Sequence, residues 1–411
     1  MTPDPLRVLC LDIEGGFGGS SRSLFYLLRH VDPVCNLIEV WCLREGPIVT
    51  KYREIGVPVR IVPELPKVSA LPRLSRSAWA HLRFVGDFLR SGDLRRSLVR
   101  EIDSRFNVVH FNHEALYLLA SWLRRRTKAA FVMHNRTQLC NTWFARMQAR
   151  RLVADNDVNV FITERERENI RTLAAWSGGL VIHNVVEIPK ESPEPYGAIP
   201  AGPGFRIACL SNFSWMRGID RIVDVAAALK AMGREDIRFV VAGSMKLTGS
   251  LPGRIGEIAA KGGELADYAT ACGVGEMFVF LGHVDSPERV LSGCHVLIKP
   301  SREDNPWGRD ILEALSFGLP VLACGSYERF VQPGVSGYLH PHDEGFDPHR
   351  VAADIVKLSS NPELRCRMSR AAIEKVALVC DGQGRAADLA HAWRLAHSLR
   401  NSATGALRRS A

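Results

Sequence analysis

The chain has 411 residues, of which 46% are hydrophobic and 8% aromatic, and its formal net charge is +9. A chain of this length exceeds one ordinary hydrophobic core, so we expect two domains of about 200 residues each. It contains no apolar run of about 18 residues, no basic start of a signal peptide, and ten cysteines without a C-x-x-C pair. We therefore expect no transmembrane helix, secretory leader, disulfide framework or zinc site, and the pattern of isolated thiols favours a cytoplasmic protein.

The first predicted strand, residues 7–13, runs directly into a glycine-rich loop and then into a predicted helix. Glycine lets a backbone come close to a ligand because no Cβ intervenes, so Gly16, Gly18 and Gly19 are candidate ligand contacts. The spacing is not the G-x-G-x-x-G of a dinucleotide site followed by an acid about 20 residues later, so it gives such a site little support. The alternative is a simple tight turn between strand and helix.

The positive charge is concentrated in residues 73–105, 124–126 and 400–409. In the first of these segments an apolar helical face can form opposite basic residues. The apolar residues are Trp79, Leu82, Val85, Phe88 and Leu89, and the basic ones are Arg76, His81, Arg83 and Arg90. A basic amphipathic helix of this kind suits an anionic membrane surface, and the alternative is an ordinary solvated surface.

Short apolar strands alternate with helical patterns along the rest of the chain. In the first half they are predicted at residues 37–43, 59–62, 108–111, 129–133, 158–163 and 180–184. Residues 189–204 hold five prolines and three glycines without an apolar period, which is typical of a linker. Strands then resume at residues 206–210, 239–243 and 278–284. Alternation on both sides of a linker predicts two Rossmann-like domains.

The most informative stretch is residues 296–323, which predicts a strand, a turn, a helix and a second buried strand. Pro306 suits the first helical turn, so the helix is expected to start near Trp307 and to run for about three turns. Its first free amides, on Gly308, Arg309 and Asp310, point toward the end of the preceding strand and suit a phosphate. One turn further along, the Glu313 carboxylate could accept two hydroxyl hydrogen bonds, as from a ribose.

At these residues the chain resembles the retaining, nucleotide-sugar-dependent glycosyltransferases of the GT-B fold, in particular family 4, also called group 1. The family hallmark is two glutamates separated by seven residues. The segments that match the surrounding pattern are Trp307-Gly308, Leu312-Glu313-Ala314, Gly318 and Pro320-Val321. The first glutamate is not matched, because Asn305 stands eight positions before Glu313. Either an amide replaces the acid, or a local shift lets Glu303 serve.

The resemblance implies a GT-B architecture, with two Rossmann-like doubly wound domains facing a cleft. Residues 1–188 would form the acceptor-binding domain, residues 189–204 the linker, and residues 205–380 the nucleotide-sugar domain. Residues 381–411 would form a helix that crosses back to the first domain and ends in a basic tail.

The resemblance also implies roles for individual residues. His134, which follows the strand at 129–133, would lie beside the transferred sugar, and the glycine loop would approach the donor diphosphate. Two positions correspond to the family's pair of phosphate-binding cations, Asn212 and Arg217. Arg217 keeps one charge in a forked form, and Lys299 or Arg309 could replace the charge missing at Asn212. The backbone that would hold the nucleobase belongs to Gly282, His283 and Val284.

These patterns lead us to predict a retaining glycosyltransferase that moves a sugar from a nucleotide diphosphate sugar to a glycan, glycolipid or lipid-linked acceptor. We expect no metal and no cofactor besides the donor, because amides and a guanidinium can stabilise the leaving diphosphate. The alternatives are a sugar epimerase or phosphorylase on the same scaffold, and a non-catalytic sugar-nucleotide-binding protein. Nucleic-acid binding ranks last, because no recognition module accompanies the basic segments.

Overall fold

A computed structural model describes residues 4–12, 18–63 and 78–409 of the chain. It divides into two compact units, one formed by Met1–Val185 with Gly382–Ala411 and the other by Val186–Asp381. Within the described residues no helix combines the length and the apolar character that crossing a membrane requires.

Unit 1 is built on a seven-stranded sheet in which all neighbouring strands are parallel. The strand order is β3-β2-β1-β4-β5-β6-β7, so the direction of winding reverses between β1 and β4. The strands are β1 (Leu6–Asp12), β2 (Asn36–Cys42), β3 (Val59–Ile61), β4 (Val108–Phe111), β5 (Ala130–Asn135), β6 (Val158–Phe161) and β7 (Leu180–Val181).

Helices cover both faces of this sheet, which explains why its strands are near-continuous apolar runs. Alternate residues of β1 enter different cores: Leu9 and Leu11 enter one, and Val8 and Cys10 enter the other together with Trp393. The described helices of unit 1 are α1 (Gly19–Leu28), α2 (Pro47–Glu54), α3 (Ala78–Arg90), α4 (Gly92–Arg105), α5 (Tyr117–Arg124), α6 (Trp143–Asp155), α7 (Glu164–Ala174) and α15 (Gly382–Arg409). The last of these is C-terminal in sequence but contacts α1, β4, β5 and β6.

Unit 2 has a six-stranded parallel sheet in the order β10-β9-β8-β11-β12-β13, with the reversal between β8 and β11. Its strands are β8 (Phe205–Leu210), β9 (Ile237–Ala242), β10 (Phe278–Gly282), β11 (Val296–Lys299), β12 (Val321–Cys324) and β13 (Gly337–His340). Its helices are α8 (Arg221–Ala231), α9 (Gly253–Ala260), α10 (Leu265–Ala271), α11 (Glu288–Leu291), α12 (Arg309–Ser316), α13 (Pro348–Ser360) and α14 (Pro362–Val379). Both units are thus doubly wound parallel sheets, and the predicted pair of Rossmann-like domains is confirmed.

The proline-rich stretch 189–204 contains no helix or strand and belongs to unit 2. Side chains of this stretch pack on that unit. Ile199 is buried, and the Tyr196 ring lies 4.3 Å from the guanidinium carbon of Arg289. The division of the chain into an acceptor domain, a linker and a donor domain remains a prediction.

Candidate active site

The carboxyl ends of all six strands of unit 2 meet at one edge of the sheet, and ligands of doubly wound folds bind where the strand order reverses. In this unit the reversal lies between β8 and β11. The loop after β8 carries Arg217, and the loop after β11 leads through Glu303 and Asn305 into α12. The sequence-predicted residues of unit 2 therefore collect at one edge of one sheet.

The loop that carries Arg217 is fixed to the loop after β11 by close backbone contact. Gly218 has φ +65°, and a Cβ at this position would lie 1.9 Å from the carbonyl oxygen of Pro300. Arg302 donates to the carbonyl of Trp215 at 2.7 Å and forms a two-pronged ion pair with Asp220. Only glycine fits at position 218, and the two loops are consequently in close contact.

Arg217 itself is exposed, and its Nη1 donates to the Ser211 hydroxyl at 2.9 Å. Asn212, at the other predicted clamp position, has a structural bond instead: its Oδ1 accepts from the Ser244 amide at 2.8 Å. This bond ties the loop after β8 to the loop after β9. Of the two predicted phosphate-binding positions, 212 and 217, the second carries a positive charge.

The predicted nucleobase segment lies at the end of β10, on the same edge of the sheet. Gly282 is exposed with φ +68°, and its carbonyl accepts from the Gly243 amide at 2.6 Å. His283 is also exposed, with its Nε2 3.7 Å from Asp285 Oδ1, and Val284 is half-buried.

Helix α12 begins at Arg309 rather than near Trp307, and it has eight residues. The physical reason is that the preceding residues form turns: Asp304 accepts from the Ser326 amide and hydroxyl at 2.7 Å each, and Pro306 and Trp307 are buried before the helix begins. Gly308 is the N-cap. The expected three-turn helix is therefore shorter, and Pro306 lies outside its first turn.

Two cations that could replace the charge missing at Asn212 are already paired with carboxylates. Lys299 Nζ lies 3.1 Å from Asp310 Oδ1, and Arg309 Nη2 lies 3.1 Å from Glu313 Oε1. All four side chains are at most 20% exposed. Glu313, the predicted ribose ligand, therefore lies one turn inside α12 with its carboxylate oriented by Arg309.

The two candidates for the first acidic position contact each other. Asn305 Nδ2 donates to Glu303 Oε2 at 3.0 Å, and the Asn305 Oδ1 atom is buried without a hydrogen-bond partner among the described residues. A buried amide oxygen without a partner carries a desolvation cost that a ligand hydroxyl could relieve. Asp304, which lies between them in sequence, accepts a hydrogen bond from the Ser326 amide and so has a structural role.

At the winding reversal of unit 1, the described part of the glycine loop comprises Gly18, the N-cap of α1, and Gly19, its first residue. Gly16 lies outside the described residues. The strand before the loop ends in Asp12, which is fully buried and accepts from the Ser21 and Tyr52 hydroxyls at 2.8 Å each. Sequence analysis missed Asp12, although a carboxylate at the end of an otherwise apolar strand was the available signal.

His134 is fully buried and does not reach a surface in this structure. The reason is that β5 extends to Asn135, two residues beyond the predicted strand, so His134 is an inward-facing strand position. Its Nδ1 lies 3.3 Å from Arg136 Nη2, and burial together with Arg136 holds its pKa well below the ordinary value. His134 is therefore neutral and contacts Arg136, which sequence analysis did not single out.

Comparison with known proteins identifies the class. Residues 201–375 match the family model described as Glycosyl transferases group 1. Among solved structures, HepE from Anabaena in complex with UDP is 16% identical with a TM-score of 0.71, over 94% of this chain and 99% of HepE. The sucrose-phosphate synthase of Thermosynechococcus elongatus is 13% identical with a TM-score of 0.68, over 95% and 98%. The lipopolysaccharide outer core galactosyltransferase WaaB is 14% identical with a TM-score of 0.62, over 96% and 99%. No curated protein matches the sequence.

At these identities the solved structures establish the fold, which is GT-B. The family model matches most of unit 2, and this unit is therefore a group 1 glycosyltransferase domain. The predicted family resemblance, fold and enzyme class are confirmed.

Proposed function

We propose that the chain transfers a hexose with retention from a nucleoside diphosphate sugar to a hydroxyl of a glycan, glycolipid or lipid-linked acceptor, in cell-surface polysaccharide biosynthesis. The observation that carries the proposal is the arrangement of Arg217, the Glu303–Asn305 pair and Glu313 at the winding reversal of unit 2, on two contacting loops and on helix α12. These groups match three parts of one donor: diphosphate, sugar and ribose.

The diphosphate is bound by Arg217 together with the backbone amides at the start of α12. A guanidinium forms charge-assisted, two-pronged hydrogen bonds with phosphate oxygens, and the positive end of the helix dipole favours the same anion. The leaving group gains charge during transfer, so fixed donors at this place stabilise the transition state more than the bound substrate. No metal is part of this proposal, and turnover in the presence of a chelator tests that expectation.

The ribose and the sugar are bound by different carboxylates. Glu313 accepts the ribose hydroxyls, because Arg309 holds its carboxylate one turn inside α12. Asn305 Oδ1 and the Glu303 carboxylate accept hydroxyls of the transferred sugar, which gives the buried amide oxygen of Asn305 a partner.

The acceptor is bound by unit 1, and the reaction takes place at the cytoplasmic face of a membrane when that acceptor is lipid-linked. The support is the basic character of residues 73–105 and 124–126.

UDP-glucose is the first donor to test, because it is bound in a structure of Anabaena HepE. We expect the chain to consume UDP-glucose only when an acceptor hydroxyl is present, and nuclear magnetic resonance of the product should show the donor's anomeric configuration. Donor binding without turnover across a panel of nucleotide sugars and acceptors would favour a binding protein. A new sugar product without any acceptor would favour an epimerase or phosphorylase.

A further inference from the structure

One helix of unit 1 presents a continuous apolar stripe to solvent. Four of the thirteen large apolar side chains that are exposed in the described part of the chain lie on α3. They are Trp79 (80% exposed), Leu82 (65%), Val85 (51%) and Leu89 (68%). Their spacing of three and four positions places them on one side of the helix.

The opposite side of α3 packs on the protein. The helix is therefore held in place by that side, and its apolar stripe is not needed for packing. Phe84 packs against the core of unit 1. Phe88, which sequence analysis assigned to the apolar stripe, is half-buried with its ring 3.8 Å from the guanidinium carbon of Arg95. The prediction was wrong for this residue, because Arg95 of α4 and Phe88 form a stacked pair between the two helices.

Arginines border the stripe. Arg83 lies one helical turn after Trp79, and Arg90 ends the helix one residue after Leu89; both are exposed. Arg95 is buried, and its guanidinium also lies 4.9 Å from the Trp122 ring, over which the exposed Arg126 stacks at 4.3 Å. Residues 78–128 contain ten lysines and arginines against five acidic residues. Tryptophan and leucine on one face with arginine at its border is the chemistry of a helix that lies in a lipid headgroup layer.

We propose that this stripe, Trp79, Leu82, Val85 and Leu89, inserts into an anionic bilayer surface while Arg83 and Arg90 bind lipid phosphates. The proposal rests on the proposed function, since it supplies the surface at which a lipid-linked acceptor is met. A second copy of the chain fits the stripe less well, because a symmetric contact would bring the bordering arginines of both copies together. An anionic surface complements the same arginines.

The test is cosedimentation of the full chain with vesicles of phosphatidylcholine alone and of phosphatidylcholine with phosphatidylglycerol in equal parts. We expect binding to the anionic vesicles, weakened by salt. Arg83→Ala with Arg90→Ala should reduce the partition coefficient about twenty-five-fold, at about fivefold for each arginine. Leu82→Glu with Leu89→Glu should reduce it more than about tenfold. The matched control is Leu378→Glu on α14, where the leucine is 78% exposed, and it should leave binding unchanged.

Equal binding to neutral and anionic vesicles would overturn the proposal, and so would unchanged binding of the double glutamate variant. If the protein forms a dimer in solution, and the double glutamate variant is the one variant that is monomeric, a second copy of the chain is the occupant instead. Donor consumption with a water-soluble acceptor, measured without vesicles, separates this proposal from the function. Loss of vesicle binding with normal turnover rejects only the docking surface, and vesicle binding without turnover rejects only the transferase assignment.

Discussion

At the scale of single residues, the proposed donor site departs from the family pattern in charge. One of the two expected cations is replaced by Asn212, whose oxygen is used by Ser244, and the nearby Lys299 and Arg309 are each paired with a carboxylate. Of the candidate cations Arg217, Lys299 and Arg309, Arg217 is therefore the one that we expect to bind the diphosphate. The affinity for the donor should therefore depend strongly on this one side chain.

We expect Arg217→Ala to weaken the binding of UDP by about 1.5–3 kcal/mol, because a hydrogen bond to a charged group is lost. This corresponds to about a ten- to a hundredfold increase in Kd, measured by calorimetry with UDP and with UDP-glucose. Lys230→Ala serves as a control, because Lys230 is an exposed cation of α8 that donates to the Gly273 carbonyl. Unchanged UDP affinity in an Arg217→Ala protein that melts normally would reject the clamp.

The bond between Glu303 and Asn305 makes a second prediction at this scale, since the two side chains should act as one unit. Glu303→Ala and Asn305→Ala should each lower turnover by about tenfold or more while sparing UDP affinity, because in the proposed site both contact only the sugar. The double variant should lose less transition-state stabilisation, expressed as a free energy, than the sum of the losses in the two single variants. Glu313→Ala, in contrast, should weaken UDP and UDP-glucose binding by a similar factor.

Asn305→Asp distinguishes the two ways of filling the family's first acidic position. It places a carboxylate beside Glu303 and removes the Nδ2 donor, so we expect lower turnover from like-charge repulsion. Higher turnover would mean that position 305 is the acidic site and that Glu303 is dispensable. A silent Asn305→Ala together with an inactive Glu303→Ala would assign the role to Glu303 alone.

At the scale of elements, the sequence predicted what depends on local periodicity and on motifs. The parallel strands and their winding follow from apolar runs separated by helical patterns, and the family motif located α12 and Glu313. The prediction failed where tertiary contacts decide. Helix α12 starts at Arg309 because Asp304 is held by Ser326, 22 residues later in the chain. His134 is buried because β6, paired with β5, extends the strand past the predicted end.

At the scale of the whole molecule, α15 links the end of the sequence to the middle of the first sheet. Trp393 is fully buried, and its Nε1 donates to His110 Nδ1 at 3.2 Å. The ring of His110 meets that of His134 edge-on at 5.5 Å, and the Nε2 atoms of both are buried without hydrogen-bond partners among the described residues. The C-terminal helix thus covers two buried histidines of unit 1, which must stay neutral in the folded state.

This arrangement predicts that unit 1 loses stability in mild acid. Burial lowers the pKa of His110 to about 3 and holds that of His134 well below its ordinary value, whereas both residues titrate near 6.5 in the unfolded chain. Below pH 6.5 the unfolded state therefore binds more protons than the folded state, so the free energy of unfolding falls as the pH falls. At pH 5.5 the two histidines together should lower the free energy of unfolding by about 3 kcal/mol relative to pH 8.

Hydrogen exchange should show β4 and β5 losing protection over this range. His134→Gln should flatten the pH dependence by about half, while His391→Gln, at an exposed position two residues before Trp393, should leave it unchanged. If protection of β4 and β5 stays constant from pH 8 to pH 5.5, a buried water or ligand must already satisfy the two Nε2 atoms, and the C-terminal helix does not close over neutral rings.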